Sequence, residues 1–164
     1  MKIVVDTNIF LDVILAREPM CHASAKVLEL SHHADIELLM PAHSAGTILY
    51  IVEKNRDRDT AVKALGLCMG LCRVAALDES TILRGLALEF KDPEDSFVAA
   101  IALRERAELI ATNNVKDFSN SPVPAITPSE IIARLSSAEP DATSSRSGHI
   151  DDEPYHAYGS TATR

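Results

Sequence analysis

The sequence predicts an α/β domain, a central parallel sheet of about five strands flanked by helices. Three observations carry this reading. Short apolar runs of strand length alternate with helix-period segments through residues 1–135, and such alternation favours a parallel sheet covered on both faces. No internal repeat is present. The 164-residue length fits one domain, and 46% apolar residues suffice for a core without staples.

Residues 2–5 read as a buried strand, and residues 7–15 place Ile9, Phe10, Val13 and Ile14 at helical spacing. Pro19 breaks that helix. A second helix is expected over about residues 21–33, with Cys21, Ala25 and Leu28 on one face. Residues 36–40 form a second strand, and after Pro41 a helix runs over about 42–55. Asp57 or Asp59 caps the next helix, which carries Val62, Leu65, Leu67 and Met69. Residues 74–77 are the third strand. Asp78 is placed as the N-cap of a helix with Ile82, Leu83, Leu86 and Phe90 on one face. Asp92-Pro93 opens another helix, with Pro93 at its first position. Residues 109–111 and 123–126 are strands four and five. Thr127-Pro-Ser-Glu130 is a capping box that starts a last helix to about Leu135. From Ser136 the composition turns to Ser, Asp, Glu, Gly and Thr without periodicity. Residues 136–164 are therefore expected to be a polar, disordered tail outside the folded domain of residues 1–135. His149 and His156 in that tail are read as solvated.

Composition removes several function classes. No apolar run approaches the roughly 18 residues a membrane span needs, and the N-terminus lacks a signal-peptide layout, so a cytoplasmic location is expected. Cys21, Cys68 and Cys72 are odd in number and apolar in setting, which points to reduced, buried thiols. The Cys68/Cys72 spacing offers too few ligands for zinc. A net charge of −8 argues against a generally basic nucleic-acid-binding surface, leaving Lys54, Arg56 and Arg58 as a local basic rim or a solvated helix end.

The informative feature is a set of acids. Asp6 ends the first strand, Asp95 lies at the start of the Pro93 helix, and Asp117 follows the fourth strand. A carboxylate at the C-terminal end of a parallel strand points into the crevice where α/β folds bind ligands. Three such acids on one rim suit Mg²⁺ or Mn²⁺, which take oxygen ligands and keep several waters. Bound there, the ion acidifies a water and offsets phosphate charge, as phosphodiester hydrolysis requires. Asn8, Thr112, Asn113 and Asn114 are placed to orient the acids. Each acid also has a local use: Asp6 and Asp92 as caps, Asp95 toward the helix dipole, Asp117 in a turn.

These segments resemble the PIN-domain ribonucleases. Ile3-Val-Val-Asp-Thr-Asn8, Asp95-Ser-Phe-Val-Ala-Ala100 and Thr112-Asn-Asn-Val-Lys-Asp-Phe118 look like the three signature segments of that family, in order. The resemblance covers roughly residues 1–135. It implies a PIN-like fold, a Mg²⁺ or Mn²⁺ cofactor, and endonucleolytic cleavage of RNA. It further implies a VapC-type toxin held by a small antitoxin protein. Asp6, Asp95 and Asp117 would be the catalytic, metal-binding acids, and Asn8, Thr112 and Asn114 their supports. The chain departs from the pattern at Thr47, which stands where many members carry a glutamate. Glu53 lies about two turns further on. Asp92, one turn before Asp95, is the candidate replacement ligand. A binding module with a degenerate metal site is thus one alternative. A haloacid-dehalogenase-type phosphatase is another, but it needs a second Asp where Asn8 stands. The RNA target, the antitoxin and the oligomeric state, a homodimer included, stay open at this level.

Overall fold

A computed structural model describes residues 1–138. Its elements follow the expected alternation. They are β1 (Lys2–Val5), α1 (Thr7–Ile14), α2 (Cys21–Glu29), β2 (Glu37–Pro41), α3 (Ser44–Asn55), α4 (Arg58–Leu71), β3 (Arg73–Ala75), α5 (Glu79–Leu86), α6 (Pro93–Glu105), β4 (Leu109–Ala111), β5 (Ala125–Ile126) and α7 (Pro128–Ala138). Short 3₁₀ turns occupy Leu30–His32 and Val115–Phe118.

The five strands form one parallel sheet in the order β3-β2-β1-β4-β5. Ile3 pairs with Leu38 on one side and Leu109 on the other, which puts β1 at the centre. Side chains alternate between faces because successive Cβ atoms point to opposite sides of a strand. Ile3, Val5, Leu38, Met40, Leu109 and Ala111 enter one core, against apolar residues of α1, α2, α3, α4 and α7. Val4, Leu39 and Ile110 enter the other, against Val98, Ala99, Ile101 and Ala102 of α6. Both faces are covered, so the strands read as unbroken apolar runs. Burying each large aliphatic side chain in them contributes about 1.5–3 kcal/mol.

The caps behave as the sequence predicts. Asp57 accepts from the backbone N–H of Thr60 at 2.8 Å, and Asp78 from that of Thr81 at 2.9 Å. Glu130 accepts from both the backbone N–H and the hydroxyl of Thr127, completing the capping box. Several boundaries differ: α2 ends at Glu29 rather than about residue 33, and α5 ends at Leu86, before Phe90. β5 is shorter than residues 123–126 because Pro124 has no N–H to donate, although its carbonyl still accepts from Ile110 at 2.8 Å. β3 ends at Ala75 because the next carbonyl, of Ala76, is taken by the Arg104 guanidinium. α7 runs past Leu135 to Ala138. The rest of the expected tail, with His149 and His156, lies outside the described residues.

α5 crosses α6 at Gly85, where an added Cβ would stand 2.8 Å from Phe97 Cδ1 and 3.1 Å from the Ser96 carbonyl oxygen. At Gly66, inside α4, an added Cβ would meet nothing within 4 Å. Gly85→Ala is therefore expected to lower unfolding stability by about 1–3 kcal/mol through overpacking. Gly66→Ala should raise it by about 0.5–1 kcal/mol through reduced chain entropy. Urea denaturation of the two variants checks both signs.

Candidate functional site

β1 is the point where the chain reverses its direction of growth. β2 and β3 extend the sheet to one side, and β4 and β5 return to the other. The crevice beyond the carboxyl ends of β1 and β4 is where such a topology leaves room for a ligand. Asp6 follows β1 directly and Thr112 follows β4. The backbone N–H of Asp6 donates to the Ala111 carbonyl at 3.0 Å, so the two strand ends are fixed to each other.

The cleft at this point has a volume of about 260 Å³ and is lined by acids from three distant segments: Asp6, Asp92, Glu94, Asp95 and Asp117. Asn8, Thr47 and Asn114 also line it. A second cavity of about 440 Å³ adjoins it through Asp92, Asp95 and Asp117 and adds Lys91. Each acid expected at the site is present. Asp6 is buried, with 3% of its surface exposed. Its Oδ2 accepts from the Thr112 hydroxyl at 2.8 Å and from Asn8 Nδ2 at 3.5 Å. Thr112 Oγ1 in turn accepts from the backbone N–H of Asn114 at 3.0 Å. Asp6 is extended at the N-cap of α1 but makes no side-chain capping bond, so its carboxylate is left for the cleft. Asp92 does cap α6, accepting from the Glu94 N–H at 2.9 Å. Asp117 lies in the 3₁₀ turn, held by its own N–H to the Asn114 carbonyl at 2.9 Å and by the buried ring of Phe118, which meets Phe90 edge-on.

Burial pushes the Asp6 carboxyl above its ordinary range, against the opposing hydrogen bonds of Thr112, Thr7 and Asn8. Asp95 is pushed further, to about 7, first by burial and then by the charges of Asp6, Asp92, Asp117 and Glu94. Among the residues lining the two cavities, Lys91 is the one cation. The negative charge is therefore left largely uncompensated, at the N-terminus of α6 where the helix dipole also favours anions. A hard divalent cation fits this donor set, which is all oxygen. Among the described residues, no three ligand atoms of these acids lie within 4.8 Å of one another. That spacing suits an ion that retains waters and takes one or two carboxylates directly.

Several residues have roles that the sequence does not reveal. Thr47 faces the cleft, and its hydroxyl donates to Glu94 Oε1 at 3.1 Å. Glu94 thus brings a carboxylate beside Thr47, while Asp92, the expected replacement ligand, uses one oxygen on its own helix. His43, one turn before Thr47, packs edge-on against Phe97 with both ring nitrogens buried and unpartnered; burial lowers its pKa, opposed by Glu94. Asn113 turns away from the cleft and donates to the buried Asp12 at 2.8 Å and to Ser24 at 3.3 Å. Lys54, Arg56 and Arg58 do not line the cleft: they lie exposed from the last turn of α3 to the start of α4, with Lys54 over the Tyr50 ring. Glu53 is also exposed outside it. Cys68 and Cys72 are buried, which raises their thiols to about 11 and 12.

A family model described as PIN domain matches residues 2–116. No protein of curated function matches the chain at a significant level. Among solved structures, a chain of VapBC2 from Rickettsia felis bound to a DNA fragment from their promoter is 18% identical, with a TM-score of 0.63, covering 77% of this chain and 98% of that one. A chain of VapBC-1 from nontypeable Haemophilus influenzae is 19% identical, with a TM-score of 0.62, covering 79% and 99%. VapC20 of Mycobacterium tuberculosis, described as a sarcin-ricin loop cleaving toxin, is 13% identical, with a TM-score of 0.55, covering 66% and 86%. At these identities the likeness shows the fold. No helix among the described residues is long and apolar enough to cross a membrane.

The Asp95 shift sets a pH dependence. Its folded-state pKa of about 7 lies above its ordinary value of 3.8, so the folded chain binds the extra proton more tightly than the unfolded one. The stability this contributes is fully present below about pH 4 and is lost as pH rises through about 7. Metal-free wild type is expected to lose thermal stability across that window, and Asp95→Asn should flatten the slope. Melting curves from pH 4 to 8 with a chelator present check it.

Proposed function

We propose, for a chain that belongs to the PIN-domain family, that the acidic cleft is the active site of a Mg²⁺- or Mn²⁺-dependent endoribonuclease. The observation that carries this reading is the convergence of Asp6, Asp92, Glu94, Asp95 and Asp117 on one cleft at the switch point of a parallel sheet. Asp6, Asp95 and Asp117 would hold the ion. When bound, it supplies an acidified water as nucleophile and positive charge against the phosphate.

The remaining work falls to the protein. Thr112 and Asn8 orient Asp6, so one of its oxygens is spoken for and the other stays open. Thr47 holds Glu94 toward the cleft, where Glu94 takes the place of the glutamate missing from α3. This bond favours an active site over a degenerate one. Lys91 lies beside the acids and attracts a phosphate of the incoming strand, which an acidic chain otherwise repels. Asn114 faces the same space and offers an amide to a sugar or a metal-bound water.

The VapBC structures are those of complexes, and an intracellular nuclease of this kind needs restraint. We take this chain to be a toxin held by a small antitoxin that presents an arginine to the cleft. A guanidinium pairs with two carboxylate oxygens at once and excludes the metal.

The test is cleavage of a mixed panel of structured and single-stranded RNAs with Mn²⁺. Wild type is expected to cut at discrete positions. Asp95→Asn should lose at least about 100-fold of that activity, and Glu94→Gln about 10-fold, the scale typical of residues that orient metal ligands. Wild type that binds RNA without cutting in any divalent metal would make the chain a binding module instead.

A further inference from the structure

A second group of ligands lies apart from the cleft, where the loop after α1 enters α2. Glu18, Cys21 and His22 bring a carboxylate, a thiol and an imidazole to one point, their ligand atoms all within 4.8 Å of one another. Cys21 Sγ is 3.0 Å from Glu18 Oε1 and 3.2 Å from His22 Nδ1, and His22 Nδ1 is 3.3 Å from the same Glu18 oxygen. Zinc bonded tetrahedrally to sulfur at about 2.3 Å and to nitrogen and oxygen at about 2.0–2.1 Å separates its ligands by roughly 3.3–3.6 Å. The nitrogen–oxygen separation matches its edge, and the two separations from sulfur fall roughly 0.3–0.6 Å short of theirs. Small side-chain rotations would open the triangle enough to admit the ion.

We propose that Glu18, Cys21 and His22 form a Zn²⁺ site with a fourth position open to water. The donor set is the reason for the choice of ion. Thiolate and imidazole favour zinc over magnesium or manganese, which prefer the all-oxygen cleft. The chain therefore separates two metals by ligand softness. Binding converts the Cys21 thiol to a thiolate, and its proton leaves to solvent as the Zn–S bond forms. In the metal-free chain the Cys21 thiol donates a hydrogen bond to the Glu18 carboxylate, the contact a cation would replace.

The local backbone is fixed in the metal-free form. The N–H of Arg17 donates to the Asp12 carbonyl at 2.9 Å, and that of Cys21 to the Arg17 carbonyl at 2.9 Å. Asp12 is itself buried and held by Asn113. The loop carrying Glu18 is thus tied to the interior before any ion arrives, which limits the ordering that binding must supply. The His22 and Glu18 side chains are 81% and 64% exposed, so water reaches the site directly.

Cobalt reports on this site selectively, because only a thiolate ligand gives sulfur-to-Co²⁺ charge-transfer absorption in the near ultraviolet. The full chain, reduced, is titrated with Co²⁺ and then with Zn²⁺. The expected result is a one-equivalent band that Zn²⁺ bleaches. Cys21→Ser should abolish it, while His22→Ala and Glu18→Gln weaken Co²⁺ affinity at least tenfold. Asp95→Asn should retain the band in full, which keeps this site distinct from the acidic cleft. Circular dichroism confirms that each variant folds. No band in wild type, or a band that survives Cys21→Ser, overturns the proposal.

Discussion

Like-charge repulsion at the carboxyl end of β1 and β4 is the constraint around which this structure is arranged. Five carboxyl groups, from Asp6, Asp92, Glu94, Asp95 and Asp117, face one cleft, with Lys91 the one cation along its walls and those of the adjoining cavity. A fold that minimised its own free energy would disperse them. Here the end of the central strand, the start of α6 and a 3₁₀ turn all deliver acids to the same crevice. Burial first, and then the neighbouring charges, raise the Asp95 carboxyl, and a bound cation is the simplest means of relieving that repulsion.

The scaffold resists that repulsion with neutral hydrogen bonds and packing rather than with counter-charges. Thr112 donates to Asp6, Thr47 to Glu94, and the N-terminus of α6 to Asp92. Thr7 and Ser44, with hydroxyl oxygens 2.8 Å apart, tie the start of α1 to the start of α3. Buried Phe118 anchors the turn that carries Asp117. One layer further out, Asp12, Ser24 and Asn113 join α1, α2 and the loop after β4. None of these bonds removes charge from the cleft. Those made to Asp6, Glu94 and Asp92 fix these acids in place while leaving them free to pair with a cation.

Much of this was legible in the sequence, for identifiable reasons. Asp6, Asp95 and Asp117 follow short apolar strands or open an apolar helix, and a parallel sheet sends such positions to one end. Asp57, Asp78 and the Thr127–Glu130 box announced their helices through spacing alone. What escaped depends on contacts between segments far apart. Glu94 reads as an ordinary first-turn acid until Thr47, on another helix, is found bonded to it. Asp12 sits within an apolar helical pattern that gives no hint of its burial with Asn113. Of the two readings of Lys54, Arg56 and Arg58, a local basic rim or a solvated helix end, the second holds, because α3 begins at the cleft and carries them away from it. Glu18, Cys21 and His22 become a group only where the loop after α1 turns into α2 and brings their donor atoms together.

The central claim is that Asp6, Asp95 and Asp117 share one cation. Crystals of the chain soaked in Mn²⁺, with data collected for manganese anomalous scattering, test it most directly. The account predicts an anomalous peak in the cleft, bonded directly to at least one of these three carboxylates and linked through waters to the others. It predicts no such peak in Asp95→Asn crystals at the same concentration. A wild-type cleft without manganese, or a peak equally strong in the variant, would contradict it.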